Sequence, residues 1–462
     1  MPDRLRRASS GEGASTCLVS SHISTVSGLP KTRRTDSKTL VVSAVNVTGS
    51  KVGVVGGSIA GCAAAIALNR AGCDVQVFER SRSELEDRGS GIAIPIALRD
   101  ELVAAGYMPP DYPGLQRSGG RLWLLHDGSA LGRIMWHQPA AGFANNWGVL
   151  WQSLRAGVDD QRFHEGVTVE VLEEGSDGVA VRLGTGASER FDILVGADGY
   201  RSSVRARVHP GSTPDYAGYI LWRGNYAESR VSDRTAIDRA DEIDASLLTV
   251  CFDGGHGVFY MIPNFDHRTD PGHRRVNWAI YTAQPDGLDF TAPSSIPPGS
   301  MTGELYTHLD RVLSTSFPSA LEALVRLSPI EEVSLQPIYD ERVDRYTGLR
   351  TLLIGDAGTV TRPHTGSGAT KALQDALALE RLAHEHVDWE TLLAAYDLER
   401  VEAGNWLVEL GRRIGRAQVE ETPNWAAMTP DDFDAWTKAT LAGERLYFYG
   451  NASDAGQVLR EA

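Results

Sequence analysis

Residues 51–61 read Lys51-Val52-Gly53-Val54-Val55-Gly56-Gly57-Ser58-Ile59-Ala60-Gly61, and the fold follows from this stretch. Its first half is a short apolar run of the kind that forms a strand buried on both faces. Its second half is a glycine-rich turn leading into a helical stretch from Cys62 to Ala71. Asp74-Val75-Gln76-Val77-Phe78 then reads as a second strand. Strand, helix and strand within roughly 30 residues form a βαβ unit, whose crossover makes the two strands parallel. The chain is therefore expected to be α/β, with a Rossmann-like domain at its start.

The turn has the chemistry of a phosphate cradle. Gly56 permits the tight turn, Gly61 lets helix pack on strand, and the helix N-terminus presents unpaired N–H groups to an anion. Ser58 stands where a third glycine is usual; it is small, and its hydroxyl can donate to a phosphate. Glu79 ends the second strand about 20 residues on, where a carboxylate accepts hydrogen bonds from ribose hydroxyls.

Outward from this unit, short strands are predicted at 167–172, 179–183 and 191–195. A region richer in aromatics follows, with strands at 219–223, 247–252, 258–262 and 276–281, and Gly254-Gly255-His256-Gly257 as a turn between two of them. A helix is predicted over 302–327. Thr351-Leu352-Leu353-Ile354 returns as an apolar strand ending in Gly355-Asp356, and long helical patterns run over 369–385 and 389–416. No internal repeat is present. The expected organisation is a discontinuous nucleotide domain (49–135, 150–212 and 345–420). An antiparallel-sheet substrate domain (213–344) is inserted into it, and a C-terminal segment (421–462) follows.

Composition narrows the function. The chain has 462 residues, 60 acidic against 45 basic side chains and a formal net charge of −15, so its surface repels a phosphate backbone and nucleic acid is not an expected partner. No apolar run approaches the roughly 18 residues of a membrane helix. The four cysteines, Cys17, Cys62, Cys73 and Cys251, form no C-x-x-C pair and are too few for a disulfide framework. Buried free thiols at Cys62 and Cys73 and a cytoplasmic location are expected. Residues 1–48 are rich in Ser, Thr, Arg and Val and lack an apolar signal core. They read as a disordered extension, an upstream start or, less simply, a transit peptide.

Two further motifs lie downstream. Gly196-Ala197-Asp198-Gly199-Tyr200-Arg201-Ser202-Ser203-Val204-Arg205 follows a strand, and Gly355-Asp356-Ala357 precedes Pro363-His364-Thr365-Gly366-Ser367-Gly368 and a helix. A carboxylate at a strand end can take sugar-like hydroxyls, and a glycine-rich loop opening a helix offers N–H groups to an electron-rich ring edge.

In this order and at these separations, the three motifs resemble those of the class A FAD-dependent aromatic monooxygenases, the para-hydroxybenzoate hydroxylase superfamily, over roughly residues 51 to 400. The resemblance implies a GR2-type Rossmann-like FAD-binding domain. Gly56, Ser58, Gly61, Glu79 and Arg80 would hold the ADP half, with Asp198 and Gly199 serving FAD and the passing nicotinamide. Asp356 would lie at the ribityl and phosphate region, and Pro363, Gly366 and Gly368 against the isoalloxazine. Gly89-Ser90-Gly91-Ile92 matches the loop lining the flavin ring, which adds Gly91 and Ile92. The implied reaction is reduction of FAD by NADPH or NADH, capture of O₂ as a C4a-hydroperoxyflavin, and hydroxylation of a small aromatic or heteroaromatic substrate.

Shorter matches, at Val55–Ile59, Trp222-Arg223-Gly224, Arg275-Val276-Asn277-Trp278 and Arg362-Pro363-His364, resemble the 2,6-dihydroxypyridine 3-hydroxylase branch. Two features depart from the family pattern. Trp147 stands where an Arg or Gln contacts FAD, and Ala369-Thr370-Lys371 stands where Asn is usual. His364 is the candidate catalytic contact at the flavin, against a structural histidine bonded to a backbone carbonyl. Arg223 is placed to meet an anionic substrate or to form a structural salt bridge, and Tyr260 and Trp278 to line the pocket or fill core. No metal site is expected, and a homodimer is compatible. The rival functions are a non-catalytic or redox-sensing flavoprotein, an oxidase, a plain dehydrogenase, and a halogenase. The halogenase would carry a Trp-x-Trp-x-Ile-Pro segment, where this chain has Met261-Ile262-Pro263 without the tryptophans.

Overall fold

The computed structural model describes residues 45–82, 85, 90–290 and 295–443. A five-stranded sheet runs Thr351–Leu353, Ile193–Gly196, Lys51–Val55, Asp74–Glu79, Phe163–Glu165, with every neighbouring pair parallel. Val52 and Val54, in the central strand, are fully buried. The helix Ile59–Arg70 is buried from Ile59 through Leu68. Its run of alanines lets it lie close between the sheet and the helix Gly368–Glu385, so it has no solvent face over most of its length. An antiparallel meander, Val169–Gly175, Gly178–Leu183 and Ser188–Phe191, packs its Val171, Val179, Val181 and Phe191 into the same core. The stretch read as one strand over 191–195 is two, belonging to different sheets. They part at Asp192, whose carboxylate accepts the Lys51 N–H at 2.7 Å.

The second layer is a seven-stranded sheet with the order Ser334–Asp340, Asp215–Ala227, Arg275–Ala283, Gly255–Ile262, Leu247–Phe252, Arg121–Leu125, Arg133–Gln138. It is antiparallel except where Leu247–Phe252 runs beside Arg121–Leu125. Two corrections to the sequence boundaries follow. The last two strands come from a segment assigned to the nucleotide domain (49–135), so the substrate sheet recruits chain from outside 213–344. The helix expected over 302–327 is two, Gly303–Ser316 and Ser319–Arg326. The break falls at Pro318, which holds Phe317 in the extended region (φ −107°, ψ 140°). Leu305, Leu309, Leu313, Phe317, Leu321 and Leu324 from this pair pack with Ile220, Trp222 and Trp278 of the sheet.

The helix Trp389–Gly415 passes into a π-turn at Arg416–Glu420. Beyond it the helix Pro430–Thr440, fixed by a Thr429/Asp432 capping box, sets Phe433 and Trp436 against Trp123. The described part of the C-terminal segment is thus an anchor on the far edge of the large sheet. Residues 45–48 depart from the expectation of disorder. Val47 is buried, and its backbone bonds to Val387 and accepts from Ser50 and Cys73. The rest of the extension, with Cys17, lies outside the described residues. Cys62, Cys73 and Cys251 are free and buried, as expected of Cys62 and Cys73. Among the described residues no helix is long and apolar enough to cross a membrane.

Candidate active site

A cavity of about 370 Å³ lies between the two layers. Ser58, Ile59, Gly91, Ile92, Gly199, Asp356 and the 363–369 loop line one side; Leu221, Arg223, His256, Tyr260 and Tyr281 of the large sheet line the other.

The first loop is shaped by glycines that cannot be replaced. Gly56 sits at φ +102°, and a Cβ there would overlap the Ala197 carbonyl; at Gly61 it would overlap the carbonyl oxygen of Gly56. Ser58 is the N-cap of the helix Ile59–Arg70 but makes no side-chain cap bond, which leaves its hydroxyl and the first helical N–H groups for a ligand. Glu79 is buried, with one carboxylate oxygen accepting the Gly57 N–H and the other the Ser81 N–H, both at 2.8 Å. Trp151 donates its indole N–H to the Gly57 carbonyl at 2.8 Å and so holds the loop from the other side.

The second motif divides its labour. Asp198 does not line the cavity. Its carboxylate accepts the Ser203 N–H (2.7 Å), the Ser203 hydroxyl (2.9 Å) and the Ser202 hydroxyl, so it organises its own loop. Gly199, at φ +79° with open space where a Cβ would stand, does face the cavity. Arg205, to which the sequence assigned no role, ties this motif to the third. Its guanidinium donates to the carbonyls of Asp356 (2.9 Å), Ala357 (3.2 Å) and Tyr200 (2.5 Å), and pairs with buried Glu341 at 2.8 Å.

Gly355 opens the third motif in the left-handed region (φ +61°), and side chains grip both of its backbone groups. Its N–H donates to Asp375 (2.9 Å) and its carbonyl accepts from Lys371 (2.9 Å); Lys371 and Arg400 each pair with Asp375 at 2.8 Å, all deeply buried. The departure itself falls at Thr370, which is buried, and the next residue, Lys371, does not enter the ring loop. The long side chain turns inward and clamps the turn that carries Asp356. Burial pushes the Asp356 carboxyl above the ordinary range, against the pull of Lys371 and Arg205. At the other departure, Trp147 begins a helix capped by Asn146 and lines the cavity, with its backbone N–H on the Ser90 carbonyl.

In the ring-facing loop Gly366 adopts φ +63°, and the helix that begins at Gly368 points its first, uncapped turn at the cavity. His364 is buried and bonds not to a backbone carbonyl but to the Tyr219 hydroxyl, Nε2 to Oη 2.8 Å. Its ring stacks on Tyr281 (4.2 Å between centroids, 28°), and Tyr281 stacks in turn on His256 (4.6 Å, 16°). Burial, with the charge of Arg121 nearby, pushes His256 down to about 3, and His364 is driven down for the same reasons with further help from His256 and Arg362. Both imidazoles are neutral. Gly91 meets the large sheet: its N–H donates to the Asn277 amide oxygen at 2.7 Å, and a Cβ on it would come within 2.7 Å of the Tyr260 hydroxyl. Tyr260 is pushed up to about 12, by burial against the pull of Arg223. Arg223 reaches the Gly91 carbonyl at 3.4 Å, and no carboxylate among the described residues pairs with it. Trp278 is core, its indole N–H bonded to Ser328.

Of the residues singled out in sequence, the fold gathers Ser58, Gly91, Ile92, Gly199, Arg223, Tyr260, Asp356, Pro363, His364, Gly366 and Gly368 on one cavity. Gly56 and Gly61 shape the loop behind it. Glu79 is held at the strand end, Arg80 is exposed, and Asp198 faces its own loop. His256, Tyr281, Arg121 and Gln418 were missed. His256 was hidden because residues 254–257 read as a turn, whereas the strand begins at Gly255. That glycine is there because a Cβ would strike the Tyr281 carbonyl and the Phe252 ring.

The cavity fits a dinucleotide carrying a flat ring: an uncapped helix start at Ser58, a carboxylate at a strand end, and a second uncapped helix start at Gly368 facing an aromatic-lined chamber. Two family models match, an NAD(P)-binding Rossmann-like domain over residues 54–83 and an FAD binding domain-like family over 216–327. The chain is an FAD-dependent monooxygenase, similar to enzymes of the aromatic hydroxylase family. It is similar to 2,6-dihydroxypyridine 3-monooxygenase of Paenarthrobacter nicotinovorans, 29% identical over 80% of this chain and 92% of that one. It is also similar to aurachin C monooxygenase/isomerase of Stigmatella aurantiaca, 29% identical over 85% and 98%. Among solved structures, 2,6-dihydroxypyridine-3-hydroxylase from Arthrobacter nicotinovorans superposes with a TM-score of 0.71 at 26% identity, over 81% of this chain and 94% of that one. Klebsiella pneumoniae HpxO with FAD and uric acid shares the fold, with a TM-score of 0.68 at 20% identity over 89% and 97%.

Proposed function

We propose that the protein hydroxylates a small, electron-rich heteroaromatic ring, using NADPH or NADH and O₂. The observation that carries this reading is the chamber itself. One wall is made of the loops that fit a flavin ring, His364 among them, and the facing wall joins apolar Leu221, Val258 and Ala279 to polar Arg223 and Tyr260. FAD, when bound, supplies the electrons taken from the nicotinamide and activates oxygen for insertion. The protein's part is to bind, orient and keep water out, since bulk water discharges the activated oxygen unproductively.

Ser58 and the first turn of its helix would hold the pyrophosphate, Glu79 the adenosine ribose, and Asp356 the ribityl chain. Gly91, Ile92 and the 366–368 loop would frame the ring. Arg223, a cation without a carboxylate partner among the described residues, suits an anionic or enolic oxygen on the substrate. Tyr260 keeps its proton across the physiological range and donates, and neutral His364 offers Nδ1. The similarity to enzymes named for hydroxypyridines supports a nitrogen heterocycle over a plain phenol. The buried free thiols agree with a cytoplasmic site of action.

The test is anaerobic reduction of the purified protein by NADPH and by NADH. Rapid mixing with O₂ follows, in the presence of a panel of hydroxypyridines and phenols. The expected result is flavin reduction accelerated by one panel member and a product heavier by one oxygen. A flavin that neither nicotinamide reduces, with or without the panel, would return the reading to a non-catalytic flavoprotein.

A further inference from the structure

A second, smaller cavity of about 30 Å³ lies on the other face of the large sheet, beside the helices Thr235–Glu242 and Ser319–Arg326. Successive residues of one strand divide between the two spaces: Val258 and Tyr260 face the main cavity, Phe259 and Met261 the small one.

The sheet stops short of separating them. The strand Leu247–Phe252 pairs with Gly255–Ile262 only from Leu248 opposite Phe259 onward, so Tyr260, Met261 and Ile262 run past its start. Arg117, Ser246 and Tyr260 stand around this notch, and all three line both cavities. The walls of the small cavity are otherwise mainly apolar, with Ile237, Ala240, Leu248, Phe259, Met261 and Val276 among them. The polar groups beside them are engaged. Arg117 pairs with Asp241 at 2.8 Å and Asp244 at 3.2 Å, and Asp241 also holds Arg274 at 2.7 Å. The Ser246 hydroxyl donates to the carbonyls of Arg117 (3.1 Å) and Ala140 (3.3 Å), and the Tyr260 hydroxyl lies beside Gly91 and Asn277 on the main-cavity side. Such a space gives water too few partners and suits hydrocarbon. At roughly 10–15 Å³ for each water-sized group, it has room for about two or three heavy atoms.

We propose that this annex receives an apolar substituent of about two or three carbons carried by the substrate ring, and so selects among substituted rings. The ring lies in the main cavity and the substituent passes the notch at Ser246. A polar substituent would leave water for walls that offer it no free hydrogen-bond partner. An anionic one meets an Arg117 already paired with two carboxylates. The inference rests on the proposed hydroxylation, which puts an aromatic ring in the chamber, and adds what that ring carries.

The experiment uses the FAD-loaded protein and reads binding from the perturbation of the flavin absorption band, with no turnover required. The probes are phenol and 3-hydroxypyridine, each unsubstituted and with methyl, ethyl, propyl, butyl and pentyl groups at each ring position in turn. At one position the affinity should rise about fourfold per carbon through ethyl or propyl, then level off or fall. A hydroxyethyl group, equal in length to propyl, should lose that gain. Ala240→Leu fills the annex from its helix and lies outside the main cavity; it should cut the gain to within twofold while binding the unsubstituted rings as the wild type does. Met261→Ala enlarges the annex and should move the optimum to a longer chain, which keeps the test open if Ala240→Leu fails to fold. FAD stoichiometry and unfolding midpoints are read on the same samples. An alkyl series that is flat or falling at every position overturns the inference, as does hydroxyethyl binding as tightly as propyl. So does a gain that survives Ala240→Leu, an optimum unmoved in Met261→Ala, or binding of no probe at millimolar concentration. The proposed hydroxylation fails separately, through absence of NAD(P)H-driven flavin reduction and O₂ uptake.

Discussion

Replacing Lys371 with Met tests whether the buried clamp holds the turn that carries Asp356. Lys371 Nζ lies 2.8 Å from Asp375 and 2.9 Å from the Gly355 carbonyl, with no solvent access. At an effective dielectric near 20, two unit charges at that separation attract by about 6 kcal/mol, and the desolvation of Lys371 opposes much of this. Removing one partner of a buried pair typically costs about 3–5 kcal/mol. Asp375 would keep Arg400 and the Gly355 N–H, so the low end, about 3 kcal/mol, is expected. The pH window follows from the shift directions. The Lys371 pKa is raised, so its contribution is complete below the unfolded value of about 10.4 and is lost only as pH climbs through the folded one. That of Asp375 is lowered, so its contribution is complete above about 3.9 and is lost as pH falls through the folded value. Measurement at pH 7 therefore sees the whole effect. Urea unfolding of the FAD-free and FAD-loaded forms, with titration of the FAD-free protein by FAD, should show the loss in stability and at least a tenfold loss in FAD affinity. Stability within about 0.5 kcal/mol of wild type together with unchanged FAD affinity would refute the argument that this network positions the turn, since surface substitutions reach that size on their own.

Other outcomes are checked more briefly. Gly61→Ala places a methyl on the Gly56 carbonyl oxygen and should abolish FAD retention through gel filtration; a yellow, stoichiometrically loaded variant would contradict the loop geometry. His364→Ala should leave FAD bound while lowering product formed per NAD(P)H oxidised, and unchanged coupling would remove His364 from the site chemistry. His256, neutral in the fold and pushed down to about 3, stays unprotonated while the unfolded chain takes up a proton below about 6.5. Stability should therefore fall with acidification, by about 1 kcal/mol from this residue between pH 7.5 and 5.5, and His256→Gln should flatten that dependence. Identical pH profiles for variant and wild type would count against its burial as a neutral base.

The parts of this protein legible in its sequence are those fixed by local chemistry. A strand feeding Gly56-Gly57-Ser58 must turn tightly and open a helix, and Glu79 falls at the next strand's end through chain length alone. Gly355-Asp356 and the 363–368 loop announce themselves in the same way, through glycines that only particular backbone shapes require. From these came the α/β class and, through the family their order resembles, the expectation of a flavin and of most of the cavity wall on its side. What the sequence could not determine depends on pairings between distant segments. Strands 121–125 and 133–138 join the inserted sheet because Arg121–Leu125 finds Leu247–Phe252 as its neighbour, a register no local pattern encodes. Lys371 stood in the sequence only as the neighbour of the Thr370 departure. Only the fold shows its chain length used to reach Gly355 and Asp375. His256 was hidden in a glycine run, and it becomes a site residue only because Tyr281, its direct partner on the neighbouring strand and 25 residues on in sequence, stacks between it and His364. Backbone geometry is written locally, residue by residue. The polar end of the cavity is assembled from three remote elements, and only tertiary packing brings them together.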